Sequence, residues 1–260
     1  MLDITGIAFP SLHGEEERRA YIYVPDRVLN DSELRLPVLY MFDGHNVFLN
    51  EDATYGKSWG MLEYLNITNT PLIVAALECS HAEKDGRLSE YSPFSFHHRK
   101  LGTVTGAGEA TMDWFCSVFK PFVDENYPTI PDRSHTFIAG SSMGGLMSLF
   151  ALTAYNDVFS RAAALSPTLD LASSQLDEVL KNAPLSPGTV LYMDYGEQEL
   201  MRYRTARKRL RTVSEILLRR NVLLNLRIVP DGDHCEASWE RQIPFFMPCL
   251  LYVPEVNDGN

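Results

Sequence analysis

The chain has 260 residues, 45% hydrophobic and 22% charged, which suits one large α/β domain and excludes a disordered or fibrous protein. Its 34 acidic and 23 basic residues leave a formal net charge of -11 at pH 7, which argues against general binding to nucleic acid or an anionic membrane surface. No apolar run has the length to span a bilayer, and residues 1–5 lack the basic and apolar regions of a secretory signal, so the expected location is cytoplasmic.

Taken in chain order, Ile4–Phe9 and Arg19–Val24 alternate apolar and polar residues around the turn-like Ser11-Leu12-His13-Gly14, which predicts an antiparallel hairpin. The following apolar runs are continuous, as strands covered on both faces should be: Val38–Phe42, Leu72–Leu77, Thr136–Ala139, Ala162–Leu165, Val190–Asp194 and Leu224–Val229. Helical patterns fall at Trp59–Leu65, Glu109–Asn126, Met143–Tyr155, Gln175–Lys181, Leu200–Arg220 and Ala237–Leu251. A hairpin followed by repeated β-α units implies a mostly parallel central sheet with helices on both faces. The strands' carboxyl ends then share one rim, where such sheets carry their sites. No repeat, low-complexity tract or linker divides 1–260, so a single domain is expected. Residues 80–105 lack periodicity and are rich in Ser, His and Gly, which predicts a pocket loop or lid, and residues 255–260 are expected to fray. Cys79, Cys116, Cys235 and Cys249 include no C-x-x-C pair, so four free thiols are expected.

The stretch richest in chemistry is Gly140-Ser141-Ser142-Met143-Gly144-Gly145, a G-x-S-x-G pattern centred on Ser142. Alone, three fixed positions recur by chance in roughly one chain in ten of this length. The context adds specificity: a buried strand runs in, and a helix without Gly or Pro runs out. So sharp a turn leaves no room for side chains at Gly140 and Gly144. It lifts the Ser142 hydroxyl clear of the sheet and sets it over a helix N-terminus, which favours developing negative charge.

A serine hydroxyl needs a base to become a nucleophile. Of seven histidines, His234 lies in the loop Pro230–His234 after the last strand, where a general base serving this serine belongs. The third member of such a set is a carboxylate between Ser142 and His234 in chain order. Asp194, at a strand end, can point into the sheet; Glu197 and Glu199 lie in the loop beyond. Glu199 is favoured, with Glu197 the main rival. An oxyanion hole needs two backbone N–H donors. Met143, after the nucleophile, supplies one; His45, in the loop Asp43-Gly44-His45-Asn46, supplies the other, with Gly44 permitting close backbone approach.

Further motifs surround this set: Tyr40-Met41-Phe42-Asp43-Gly44-His45-Asn46-Val47-Phe48, Ser58-Trp59, Arg87 with Glu90-Tyr91-Ser92-Pro93, Lys120-Pro121-Phe122-Val123-Asp124 and Leu165-Ser166-Pro167. Together with the elbow they resemble the putative-esterase branch of α/β hydrolases, which includes enterochelin-esterase-like, feruloyl-esterase-like and esterase-D-like proteins. The resemblance spans roughly Val38 to His234 and implies the α/β-hydrolase fold. It places the family's nucleophile on Ser142 and its histidine on His234. The family's acid follows a G-x-x-[DE] pattern, here Gly196-Glu197-Gln198-Glu199, which implies Glu199 where many relatives carry Asp.

Gly44, Arg87, Tyr91 and Trp239 are candidates for substrate contact, although Arg87, Glu90 and Tyr91 equally suit a structural ion pair anchoring a long loop. His97-His98 has no third ligand placed by spacing, so no metal is expected. The basic run Arg202, Arg204, Arg207, Lys208, Arg209, Arg211 reads as a solvated helix face paired with nearby acids. The expected activity is hydrolysis of a small acyl, hydroxycinnamoyl or siderophore-type carboxylic ester through an acyl-enzyme, by a serine esterase needing no cofactor. Its expected partner is that small molecule, with no nucleic acid or membrane and with homo-oligomerisation open. Two alternatives are an acyltransferase using the same Ser-His-Glu set and a non-catalytic binding protein on the hydrolase scaffold. An intact set in the right order argues against the latter.

Overall fold

The computed structural model of the chain describes residues 1–11, 14–82, 86–100 and 102–252. The expected fray at 255–260 and the turn residues Leu12 and His13 lie outside the described residues. The chain opens with the antiparallel hairpin β1 (Leu2–Ser11) and β2 (Gly14–Tyr23), in register from Leu2 opposite Tyr23 to Ser11 opposite Gly14. There follow β3 (Val38–Met41), α1 (Met61–Thr68), β4 (Ile73–Leu77), α2 (Gly86–Glu90), a small hairpin β5 (Phe96–His98) and β6 (Gly102–Val104), α3 (Gly108–Trp114), α4 (Lys120–Asn126), β7 (Thr136–Ser141) and α5 (Met143–Ala154). The second half runs β8 (Arg161–Leu165), α6 (Ser173–Asn182), β9 (Val190–Gly196), α7 (Glu197–Arg202), α8 (Arg204–Leu218), β10 (Leu223–Val229), α9 (Glu236–Glu240) and α10 (Ile243–Leu251).

Eight strands form one sheet in the order β1-β2-β4-β3-β7-β8-β9-β10, parallel from β4 onward, with β2 antiparallel to both its neighbours. From β3 the chain moves outward to β4 and later returns to place β7 on the other side of β3. That reversal opens a crevice at the carboxyl ends of β3 and β7, the position at which open α/β sheets bind ligands.

Alternate strand residues face opposite layers, as the pleat requires. Tyr40, Ile138, Leu191 and Met193 join one buried cluster with residues of α3, α5, α6 and α8; Leu39, Met41, Phe137, Ala139 and Tyr192 join another with α1 and α10. Each large apolar side chain so buried contributes about 1.5–3 kcal/mol of transfer free energy. Among the described residues no helix is long and apolar enough to cross a membrane.

Three predicted helices are divided. Glu109–Asn126 becomes α3 and α4 joined by a π-helical turn, Phe115–Phe119, just before Pro121, whose missing N–H breaks the regular ladder. Leu200–Arg220 breaks at Tyr203, which is extended, and Ala237–Leu251 breaks before Pro244 in the first turn of α10. Residues 80–105, read as irregular, hold α2 and the β5–β6 hairpin.

Candidate active site

β7 is buried along its whole length and ends at Ser141; Ser142 then takes φ 56° and ψ -118°, a backbone region that non-glycine residues rarely occupy. Three hydrogen bonds hold this turn. Ser142 N donates to Leu165 O at 2.9 Å, and Ser142 O accepts from Leu146 N and Thr168 N, each at 3.0 Å. Glycine is required at 140, where a Cβ would stand 2.7 Å from the backbone of Gly144. The result is a serine hydroxyl presented at the crevice, with Met143 opening α5 directly behind it.

His234 reaches that hydroxyl from the loop after β10: its Nε2 lies 2.9 Å from Ser142 Oγ, and its Nδ1 lies 2.7 Å from Glu199 Oε2. With the ring proton on Nδ1 and donated to the carboxylate, the Nε2 lone pair faces the serine. Trp239 stands edge-on to the imidazole with ring centroids 5.1 Å apart.

Glu199 is only 3% exposed, and both of its oxygens are engaged. Besides meeting His234, it accepts from Gly196 N at 2.9 Å and from Ser166 Oγ at 2.6 Å through Oε1. As the third residue of α7, it reaches back to the residue before the helix, one half of a capping box. The spacing from Gly196 to Glu199 therefore serves the helix start and the imidazole together. Gly196 also lies against the histidine loop, since a Cβ there would stand 2.3 Å from Gly232 O. Gln198 N donates to that same carbonyl at 3.0 Å.

The other two carboxylates are placed differently. Asp194 is 1% exposed and accepts from Ser166 N at 3.1 Å and from the Tyr192 hydroxyl at 3.0 Å, and burial pushes its pKa up to about 7. Glu197 accepts from Asp231 N at 3.3 Å and so steadies the histidine loop from outside. Of the three, Glu199 meets the imidazole.

Ser166 lies in the quoted motif Leu165-Ser166-Pro167, but the sequence assigns it no role. It has φ 43° at the end of β8, gives its hydroxyl to Glu199 and receives Trp239 Nε1 at 3.2 Å. Its signal was present in Leu165-Ser166-Pro167, a polar residue followed by Pro where a buried strand stops.

The loop after β3 forms the opposite wall. Asp43, at φ 58°, forms a bidentate pair with Arg87, Nε to Oδ1 at 2.6 Å and Nη2 to Oδ2 at 2.7 Å. Burial alone would raise the Asp43 carboxyl, but the charge and hydrogen bonds of Arg87 outweigh it and leave the group below its ordinary value. Asp43 N donates to the Tyr91 hydroxyl at 3.1 Å. Tyr91 is therefore buried behind the loop rather than in the cleft, and Gly44 packs on the backbone of Ala76. Both were candidates for substrate contact, Tyr91 with anchoring of a long loop as the equal alternative; their polar and steric contacts lie in the wall of the cleft. Arg87 is tied to Asp43, and Glu90 pairs with buried Arg18 at 3.1 Å.

Ser142 and His234 stand between two cavities. The larger, about 530 Å³, is lined by His45, Thr54, Tyr55, His81, Arg87, Cys235 and Trp239 among others. The smaller, about 290 Å³, is lined by Ser166, Pro167, Leu169, Tyr195, Tyr203 and Ala206 among others. Within the basic run, Arg202 pairs with Asp233, Arg209 with Asp177 and Arg211 with Glu215.

A model of the family described as Putative esterase matches residues 11–241. The chain is 25% identical over 192 residues to the uncharacterized protein YbbA of Bacillus subtilis strain 168, covering 73% of this chain and 72% of that one. Among solved structures it is similar to the BES protein from Bacillus cereus, with TM-score 0.71 and 19% identity over 97% of this chain and 95% of the other. It is also similar to the siderophore hydrolase EstA from Aspergillus nidulans, with TM-score 0.68 and 19% identity over 94% and 93% of the two chains. These likenesses establish the α/β-hydrolase-type fold.

Proposed function

The chain belongs to the Putative esterase family, a family of ester hydrolases, and we propose that it is a serine esterase working through an acyl-enzyme on Ser142. The observation that carries this reading is the unbroken relay from Ser142 Oγ to His234 Nε2 at 2.9 Å and from His234 Nδ1 to Glu199 Oε2 at 2.7 Å. Ser142 Oγ attacks the ester carbonyl carbon as its proton passes to His234 Nε2. The backbone N–H groups of Met143 and His45 receive the developing oxyanion, and Glu199 stabilises the imidazolium. The carbon–oxygen bond to the alcohol breaks as His234 returns the proton to the departing oxygen. Water, deprotonated by His234, then releases the acid.

Two cavities flanking one serine suit an ester whose acyl and alcohol parts are both of small-molecule size. Likeness to the Aspergillus siderophore hydrolase supports a siderophore-type ester within that class. The test is turnover of a panel of p-nitrophenyl, feruloyl and catecholate esters by the wild-type chain and by Ser142→Ala. Turnover at least about a thousandfold slower in the variant supports the assignment. Equal turnover by both contradicts it.

A further inference from the structure

Two histidines that line the larger cavity, His45 and His81, stand beside the buried carboxylate of Glu78. β4 ends at Leu77, and the chain leaves it through Glu78, Cys79, Ser80 and His81, beside the Gly44–Asn46 turn that follows the neighbouring parallel strand β3. There one ring nitrogen of His45, one carboxylate oxygen of Glu78 and one ring nitrogen of His81 all lie within 4.8 Å of one another. We propose that His45, Glu78 and His81 form a binding site for a divalent transition-metal ion of the zinc class, with its fourth position open to the cleft.

The donor set is two imidazoles and a carboxylate, a combination that suits Zn²⁺ when one position is left for water. A tetrahedral ion with bonds of about 2.0–2.1 Å places its donors about 3.4 Å apart. His81 Nε2 already stands 2.8 Å from Glu78 Oε1, so the site closes around an ion with shifts of roughly 1.5 Å or less. The His81 side chain is 60% exposed and free to supply that movement, while Glu78 and His45 are fixed by burial.

Hydrogen bonds from Arg19 Nη2 to Glu78 Oε1 at 2.9 Å and from Arg19 N to Glu78 Oε2 at 3.1 Å orient the carboxylate as outer partners of metal ligands do. A second, independent sign is unmet hydrogen-bonding capacity: His45 Nε2 contacts Thr54 Oγ1 at 3.1 Å, but Nδ1 is buried without a partner among the described residues.

A neighbouring set, Asp43, His45 and Cys79, is equally close but does not compete. All three of its residues are buried, with Asp43 clamped by Arg87 Nε and Nη2, whereas the exposed His81 can move onto an ion from the cleft. The proposal concerns metal binding alone and stands apart from the identity of the nucleophile.

The test is equilibrium dialysis of the full chain against ZnCl₂ with metal analysis, together with the visible absorption of added Co²⁺ as a reporter of tetrahedral ligation. One ion per chain is expected. Affinity should fall at least about tenfold in His81→Ala and in Glu78→Gln, with loss of the Co²⁺ band, and should be unchanged in Cys235→Ser. His81 is exposed, so His81→Ala keeps the fold and decides the matter if Glu78→Gln fails to fold. Absence of stoichiometric binding, equal binding by His81→Ala, or binding lost in Cys235→Ser would overturn the proposal.

Discussion

Ser166 gives its hydroxyl to Glu199 over 2.6 Å, so the carboxylate that meets His234 is oriented from the end of the adjacent strand β8. The opposite oxygen faces the imidazole at 2.7 Å. Ser166→Ala leaves Glu199 with the Gly196 N–H and His234, and kcat for p-nitrophenyl acetate should fall about tenfold with KM little changed. Glu199→Gln, which disfavours the required tautomer, should cost roughly a thousandfold or more in kcat. Glu197→Gln should stay within about twofold of wild type. Steady-state kinetics on the three variants checks this ranking.

Gly196→Ala tests the contact between the two loops that carry Glu199 and His234. The backbone of Gly196 has φ -64°, so alanine meets no conformational penalty there; the conflict is steric, with Gly232 O at 2.3 Å from the new Cβ. Relieving it displaces the histidine loop. A stability loss of about 1–3 kcal/mol in urea unfolding is expected. A fall in kcat of about a hundredfold should accompany it, because small misplacements of a catalytic group are costly.

Arg87→Met should strand the buried Asp43 carboxylate and destabilise the chain by about 3 kcal/mol, since removing one partner leaves an uncompensated buried charge. The double variant Asp43→Asn/Arg87→Met should recover part of that loss. Urea denaturation of the single and double variants measures the difference.

Asp194 makes stability depend on pH in a definite direction. Its folded pKa, raised by burial to about 7 from an ordinary value of 3.8, means that the native state holds a proton that the unfolded chain releases between those values. Its contribution to stability is therefore complete below pH 3.8 and is lost as pH rises toward 7. Asp194→Asn cannot titrate, so its stability relative to wild type should improve as pH climbs through that window, by at most about 1.4 kcal/mol per pH unit. Chemical denaturation at several pH values reads the slope.

The fold was legible wherever burial imposed a simple pattern. β7, β8 and β9 are covered on both faces, so their apolar runs could be read from the sequence, but β7 and β9 each run two residues past the expected ends, to Ser141 and Gly196. Breaks inside helices were less visible, because Tyr203 and Pro244 interrupt apolar spacing without erasing it. Ser142, His234 and Glu199 could be brought together from the sequence because the proposed acyl-enzyme chemistry demands their types and chain order. Ser166 escaped because its role depends on two residues far away in sequence, Glu199 and Trp239, meeting one hydroxyl. For Tyr91 the sequence left substrate contact and loop anchoring open for a similar reason: its hydroxyl serves the backbone of Asp43, a partner that spacing does not announce.

The most direct test of the account is covalent labelling with a fluorophosphonate probe, read by intact mass and peptide mapping. A serine esterase acting through Ser142 takes one label per chain on Ser142 of the native protein, none in Ser142→Ala, and labels much more slowly in His234→Ala. Equal labelling of Ser142→Ala, or a label mapped to another residue in an esterase-active preparation, would contradict it.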